Sequence, residues 1–306
     1  MMAPNISVII PVYNGERFIE ETVKSVIDFS SNHNVELIVV DDGSTDSTPD
    51  ILKQFQNLAK LVSTSNQGES SAVNTGIEHA SGEIILVVSA DDPIFTESIF
   101  ENVEEFFAKN PSAVALYSDW RLIDEQDEIL LLKFPGHYSD QELIGNFHCQ
   151  PGPGTFFKRS SAVSIGGRSS RWKFVGDYDF WLRLSRVGDF GYRNEVLAQW
   201  RSHADSTSIA QRGLMMAVER VSVIEEFIKS EKLPKKLSDR ALSSAYLSAA
   251  KLSYFSREVP GKLYLFKAFK SAKGWPKSAK LKVVLFVLLT PFSRQAISII
   301  HKQWSK

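Results

Sequence analysis

The hydrophobic positions at the start of the chain alternate between two periods. Ile6 to Val12, ISVIIPV, is an unbroken apolar run rich in β-branched residues, the pattern of a parallel strand covered on both faces. From Arg17 to Phe29 the apolar residues Phe18, Ile19, Val26 and Phe29, with Thr22 between them, fall at helical spacing. ELIVVDDGS then reads as a second buried strand that stops at two carboxylates and a glycine turn, and the residues from Thr45 to Pro49 offer N-caps and a first-turn proline for the next helix. The alternation continues with a strand at Leu61 to Thr64, a helix from about Ser70 to His79, the strand EIILVV from Glu83, and a helix from near Thr96 to Lys109. Such a β-α-β-α series predicts an α/β fold: a Rossmann-like, mostly parallel sheet flanked by helices, with ligands at the carboxyl ends of the strands.

Past Ala113 the pattern loosens. VALYSDW and Ile129 to Phe134 read as strands around a polar bend at Asp124 to Glu128, and QPGPGT as a turn. A helix is expected from Asp177 to Arg186 and a strand at VLAQWRSH, followed beyond Ser208 by helices at Met216 to Ser230 and Asp239 to Phe255. The predicted organisation is a catalytic domain over 1–208, with halves 1–112 and 113–208, and a helical basic extension over 209–306.

Charge sharpens that division. The chain of 306 residues has a net charge of −1, but its last acidic residue is Glu258. Ten lysines and arginines follow, which leaves +10 on residues 259–306 and −11 on residues 1–258. Within the extension, Val283 to Phe292 is strongly apolar but is too short to span a bilayer as a helix, which takes about 20 residues. Basic residues around apolar clusters fit either peripheral contact with an anionic membrane or a helix docked on the domain. No nucleic-acid-binding motif is present, so nucleic acid is not an expected partner. Cys149 is the only cysteine, and the N-terminal residues lack the basic and apolar regions of a secretion signal; both predict a cytoplasmic protein, either free or peripheral on the inner face of the membrane.

The strongest chemical signal is the pair of Asp-Asp sequences, Asp41-Asp42 and Asp91-Asp92, each at the end of an apolar run. Carboxylates in loops at a rigid sheet edge suit a ligand or a hard cation. Asp41-Asp42-Gly43-Ser44 alone would equally serve as a turn and helix cap.

The motifs PVYNGERFIEETVKSV from Pro11, VVDDGSTDST from Val39, NQGESSAVNTGI from Asn66, ADD from Ala90, and GDYDFWLRL from Gly176 with WRSH after it are similar to those of the family 2 glycosyltransferases. Those enzymes have the nucleotide-diphospho-sugar transferase fold called GT-A. The resemblance covers residues 5–208 in the family's order. It implies an inverting transfer from a nucleotide-diphosphate sugar, a UDP-sugar foremost, to a hydroxyl on a saccharide or lipid-linked acceptor, in surface-polysaccharide or glycolipid synthesis. It implies that Pro11, Tyr13 and one or both of Asp41 and Asp42 line the base pocket, that Gly68 and Asn74 flank the donor, and that Asp91 lies near the ribose. Asp92 is then expected to reach Mg²⁺ or Mn²⁺, with His203 beside the metal or diphosphate, and Asp177 to act as general base.

Two positions depart from the family pattern. Ser89 stands where many members have another aspartate, and Gly176 where they have glutamate. These departures leave open an alternative, a nucleotide-sugar or glycan-binding module of the same fold with impaired turnover. A nucleotidyltransferase is disfavoured, because no Gly-rich basic loop follows the first strand. Asp177 could also cap the helix that follows it, Asp179 reads as a first-turn structural charge, and Trp181 as core through its spacing to Leu184.

Overall fold

The computed structural model describes residues 5–206 and 213–271. The segment Lys280 to Trp304, to which membrane contact is ascribed above, lies outside the described residues.

The described chain forms two compact units, one from 5–138 and 149–206, the other from 139–148 and 213–271. The first is built on one eight-stranded sheet. Strands β1 (Ile6–Val12), β2 (Val35–Asp41), β3 (Lys60–Ser63) and β4 (Ile84–Val87) are parallel and ordered β3-β2-β1-β4. Strand order therefore reverses between β1 and β4, which is where an open α/β sheet leaves a ligand crevice at its carboxyl edge. Pairing of β1 with β4 stops at Ile9–Val87, two residues before Pro11, which has no N–H to donate.

Beyond β4 the sheet continues through β7 (Phe156–Lys158), antiparallel to both β4 and β5 (Ala113–Ile123). β5 therefore runs the same way as β4, and it carries β6 (Ile129–Lys133) antiparallel and β8 (Asp189–Arg201) parallel. The carboxyl end of β8 thus reaches the same sheet edge as those of β1, β2 and β4.

The helices in this unit are α1 (Ile19–Ser30), α2 (Thr48–Lys53), α3 (Glu69–His79), α4 (Val103–Lys109), α5 (Arg159–Ser164) and α6 (Gly176–Leu184). α1 buries Ile19, Thr22, Val23 and Val26, close to its expected stripe. α3 lies tightly on β1, since a Cβ at Gly76 would meet Ile9 Cγ2 at 2.3 Å.

Several expectations are corrected. The helix from Thr96 is split: a 3-10 turn at Glu97–Ile99, capped by Thr96 Oγ1, is separated from α4 by Asn102 in the left-handed region at φ 58°. α2 has Ser47 at its N-cap without a side-chain cap bond; Asp46 Oδ1 accepts from Thr48 N instead, at 3.0 Å. β7 and α5 were not foreseen, because elements so short carry no readable period. β8 begins seven residues before the expected Val196, its alternation blurred by irregular register along β5.

The second unit contains α7 (Leu214–Ser230), α8 (Lys235–Lys251) and α9 (Gly261–Ser271), with a π-helical turn at Gln141–Gly145. That turn falls within the expected acceptor half but packs here: Ser244 Oγ donates to Gly145 O at 2.8 Å and Arg240 Nε to Asn146 Oδ1 at 2.7 Å. Ala241, Ala245, Ala249 and Ala250 are fully buried on α8, and Ser243 Oγ donates to Ala268 O of α9 at 2.6 Å. Small side chains let helices approach closely enough for such a bond.

Candidate active site

The crevice between β1 and β4 is bordered by loops that hold one another in place. Asn14, left-handed at φ 51°, accepts from Thr45 N at 2.8 Å and donates its own N–H to Ser44 Oγ at 2.9 Å. Gly15 N donates to Thr48 Oγ1 at 2.9 Å, and Glu16 Oε2 accepts from Ser47 N at 2.9 Å. The Ser/Thr-rich run after Asp42 therefore ties the β2 loop to the β1 loop. Within this frame Pro11 is buried, whereas Tyr13, just past the end of β1, is 49% exposed and leaves a ring face available to a ligand.

The first aspartate pair is buried and largely occupied by the protein itself. Asp41 Oδ1 accepts from Ser44 N at 2.9 Å, closing the turn. Asp42 accepts from Thr64 Oγ1 (3.0 Å) and Gln67 N (2.9 Å) on Oδ1, and from Gly68 N (2.7 Å) on Oδ2. Asp42 thereby shapes the loop leading into α3, and Gly68, at φ 92°, takes a conformation that favours glycine. Of the two aspartates expected at the base pocket, Asp42 is the one whose two oxygens are both engaged by the loop.

Asn74, expected to flank the donor, also has a partner within the protein. Its Nδ2 donates to Arg168 O at 2.7 Å and its Oδ1 accepts from Arg168 N at 2.8 Å, so it clasps the turn after Gly166-Gly167. The clasp places Arg168 Nη1 2.8 Å from Glu69 Oε1 at the start of α3.

The second pair divides. Asp91 is partly exposed, and its Oδ2 lies 2.8 Å from His203 Nε2. The His203 ring stands 5.0 Å from that of Phe18, and its Nδ1 is buried with no hydrogen-bond partner among the described residues. Asp92 turns inward: it is 7% exposed and accepts from Arg201 N at 2.7 Å and from the Ser89 hydroxyl. Burial first, and then the charge of Asp91, push its carboxyl well above the ordinary aspartate range, against those two hydrogen bonds. Asp92, the residue expected at the metal, is thus held as an anchor between the β4 loop and β8. Serine at position 89 supplies this anchor with a donor that an aspartate would lack.

Arg201 and Phe18 were missed at the sequence level. The Arg201 side chain is 1% exposed, forks onto Glu21 of α1 at 2.8 and 2.9 Å, reaches Asp127 at 2.7 Å, and lies 4.8 Å over the Phe18 ring. Arg17 pairs with Glu125 on the same hairpin turn. The polar bend at 124–128 is therefore tied to α1 and the end of β8. The only local signal was its run of acidic residues.

Asp177 is the second residue of α6, two places after the N-cap Val175, and its Oδ1 accepts from Tyr178 N at 2.7 Å; this corrects its reading as the cap. The carboxyl is open to solvent yet surrounded by enough protein that desolvation raises its pKa, with Arg168 opposing the rise and Glu69 adding to it. Gly176 permits this placement, because a Cβ there would meet Ser70 Oγ of α3 at 2.6 Å. The departure at Gly176 thus brings the starts of α3 and α6 together. Asp179 pairs with Arg183 at 2.7 Å and Trp181 is buried, so both are structural as expected.

Among the described residues no three histidine, cysteine, aspartate or glutamate side chains converge as a metal-ligating group. The Asp91–His203 pair is still a chemically suitable donor set, a carboxylate and an imidazole at one opening. A divalent cation that also binds diphosphate oxygens and water needs only one or two such protein ligands.

Residues 7–166, more than half of the chain, match the model of glycosyl transferase family 2. The chain belongs to that family. As a family 2 glycosyltransferase it is 30% identical over 217 residues to an uncharacterized glycosyltransferase of Rickettsia prowazekii (strain Madrid E), a match covering 67% of this chain and 66% of that protein. It is also 30% identical over 210 residues to chondroitin synthase of Escherichia coli, across 67% of this chain but 30% of that one. The matched stretch thus spans less than two thirds of either relative. Among solved structures it resembles S. aureus TarS 1–349 in complex with UDP-GlcNAc, with a TM-score of 0.63 at 17% identity over 90% of this chain and 82% of that one. This likeness shows the fold, GT-A, an α/β sheet of mostly parallel strands flanked by helices.

Proposed function

We propose that this protein is an inverting glycosyltransferase that moves a sugar from a nucleotide-diphosphate donor, a UDP-sugar foremost, to a hydroxyl of a saccharide or lipid-linked acceptor. The assembly of a cell-surface polysaccharide or glycolipid is the corresponding role. The observation that carries this reading is the Asp91–His203 pair at the carboxyl edge of the sheet, beside the crevice between β1 and β4. The family membership supports it, as do the polysaccharide named for the E. coli relative and the UDP-sugar bound by TarS.

In this mechanism Tyr13 covers the base, Asp41 at the end of β2 accepts from its ring N–H, and Gly68 lets the backbone approach the donor. Asp91 and His203 are the residues that would hold Mg²⁺ or Mn²⁺, which would neutralise charge on the diphosphate. Asp177 accepts the proton of the acceptor hydroxyl as its oxygen bonds to the anomeric carbon. The bond from that carbon to the diphosphate breaks with its electron pair on the leaving oxygen, and attack from the opposite face inverts the centre.

The experiment is a transfer and donor-hydrolysis assay across UDP-sugars with Mn²⁺, comparing the native chain with Asp177→Asn. Loss of turnover with retained UDP binding is the expected result. Equal turnover in both proteins removes Asp177 as the base, and binding without turnover in the native chain across all donors supports the binding-module alternative.

A further inference from the structure

Helix α9, GKLYLFKAFKS, has one side that is already accounted for. Tyr264, Leu265 and Ala268 are buried, and Ala268 O takes the hydrogen bond from Ser243 of α8. The other side is exposed and is unlike an ordinary solvated face. Leu263, Phe266 and Phe269 are 50%, 66% and 52% exposed. Lys262, Lys267 and Lys270 are exposed with them. At 3.6 residues per turn these six side chains share an arc of about 160°, with Lys262 and Lys270 set between the apolar ones and Lys267 at the edge, its ammonium 5.5 Å from the Tyr246 ring of α8.

Two large rings and a leucine at three-residue spacing are more apolar surface than an isolated helix face ordinarily leaves in water. Interleaved lysines break the stripe that a protein groove would select, but they match the boundary of a bilayer. There, rings and leucine enter the acyl edge while the lysine stems extend to place their charges among lipid phosphates. The sign of the charge is consistent with this: α9 contains no acidic residue, and from Val259 to Lys306 the sequence carries ten basic residues and none acidic. No helix among the described residues is long and apolar enough to cross a membrane, so this contact is one of lying on the surface.

We propose that the exposed face of α9, formed by Leu263, Phe266 and Phe269 with Lys262, Lys267 and Lys270, docks on an anionic membrane surface. Membrane binding by this face does not depend on sugar transfer, so the two readings fail separately.

The test is co-sedimentation of the full-length protein with phosphatidylcholine vesicles, with and without phosphatidylglycerol, at low and high salt. The native protein is expected to pellet with the anionic vesicles and to be released by salt. Phe266→Ser/Phe269→Ser should lower the partition coefficient by about tenfold or more, and Lys262→Gln/Lys270→Gln by a similar factor on anionic vesicles only. All four positions are exposed, so the thermal midpoint should not move. A native protein that stays in the supernatant overturns the proposal. So do variants that bind as well as the native chain, which would assign binding to residues beyond 271. A fall in solution mass of the phenylalanine variant without lipid, measured by light scattering, overturns it in favour of contact between copies.

Discussion

His203 Nε2 lies 2.8 Å from Asp91 Oδ2, across 112 positions of sequence, while the neighbouring Asp92 accepts from the amide of Arg201. Two adjacent carboxylates in one motif therefore have separate tasks, one at the crevice and one in the interior.

That separation predicts opposite phenotypes. Asp91→Asn and His203→Ala should each weaken Mn²⁺-supported UDP binding by about tenfold or more, the scale of one lost charge-assisted contact, with little change in stability for the partly exposed Asp91. Isothermal titration with and without Mn²⁺ reads this. Unchanged binding in both variants would remove the pair from the metal site.

Asp92→Ala should instead cost about 1–3 kcal/mol of folding stability, because it leaves the buried Arg201 N–H unpaired. Asp92→Asn keeps an acceptor for that N–H and removes a carboxyl whose ionised form is already disfavoured by burial, so its loss should be smaller. Urea unfolding separates the two, and UDP affinity should survive in the asparagine variant.

Asp177 acts as a base only when ionised, and burial raises its pKa. Activity should therefore fall on acidification at a higher pH than an ordinary aspartate would give. Arg168→Gln removes the main influence that lowers this pKa, so the acidic limb of kcat/KM should move to still higher pH. Asp177→Asn should reduce kcat by roughly 10²–10⁴-fold. A pH profile unchanged by Arg168→Gln would show that the arginine does not act on the base.

Asp42 is a loop clamp, and its loss should register first as stability. Asp42→Ala strips the acceptors of Thr64 Oγ1, Gln67 N and Gly68 N, and should cost roughly 2–3 kcal/mol with a matching fall in thermal midpoint. Asp42→Asn offers one carbonyl to donors that meet both carboxylate oxygens, so it should fall between alanine and the native chain. A native-like midpoint for Asp42→Ala would refute the clamp.

The local pattern of the chain was enough to establish the strand-helix alternation through His79, the carboxylates at strand ends and the order of the motifs. Apolar runs and helical spacing are properties of neighbouring residues, and backbone geometry converts them directly into elements. What each polar residue does was decided by partners far away in sequence. Successive side chains project in different directions, so only the arrival of β8, with the Arg201 amide and His203, determines that Asp91 opens to the crevice and Asp92 closes inward. Asn74 looked like a ligand contact until the turn at Arg168 occupied both sides of its amide. Gly176 looked like a lost carboxylate until Ser70 Oγ was found where a Cβ would stand. Arg201 carried no local signal at all, because its burial depends on Glu21, Asp127 and the Phe18 ring, which only the folded sheet brings around it.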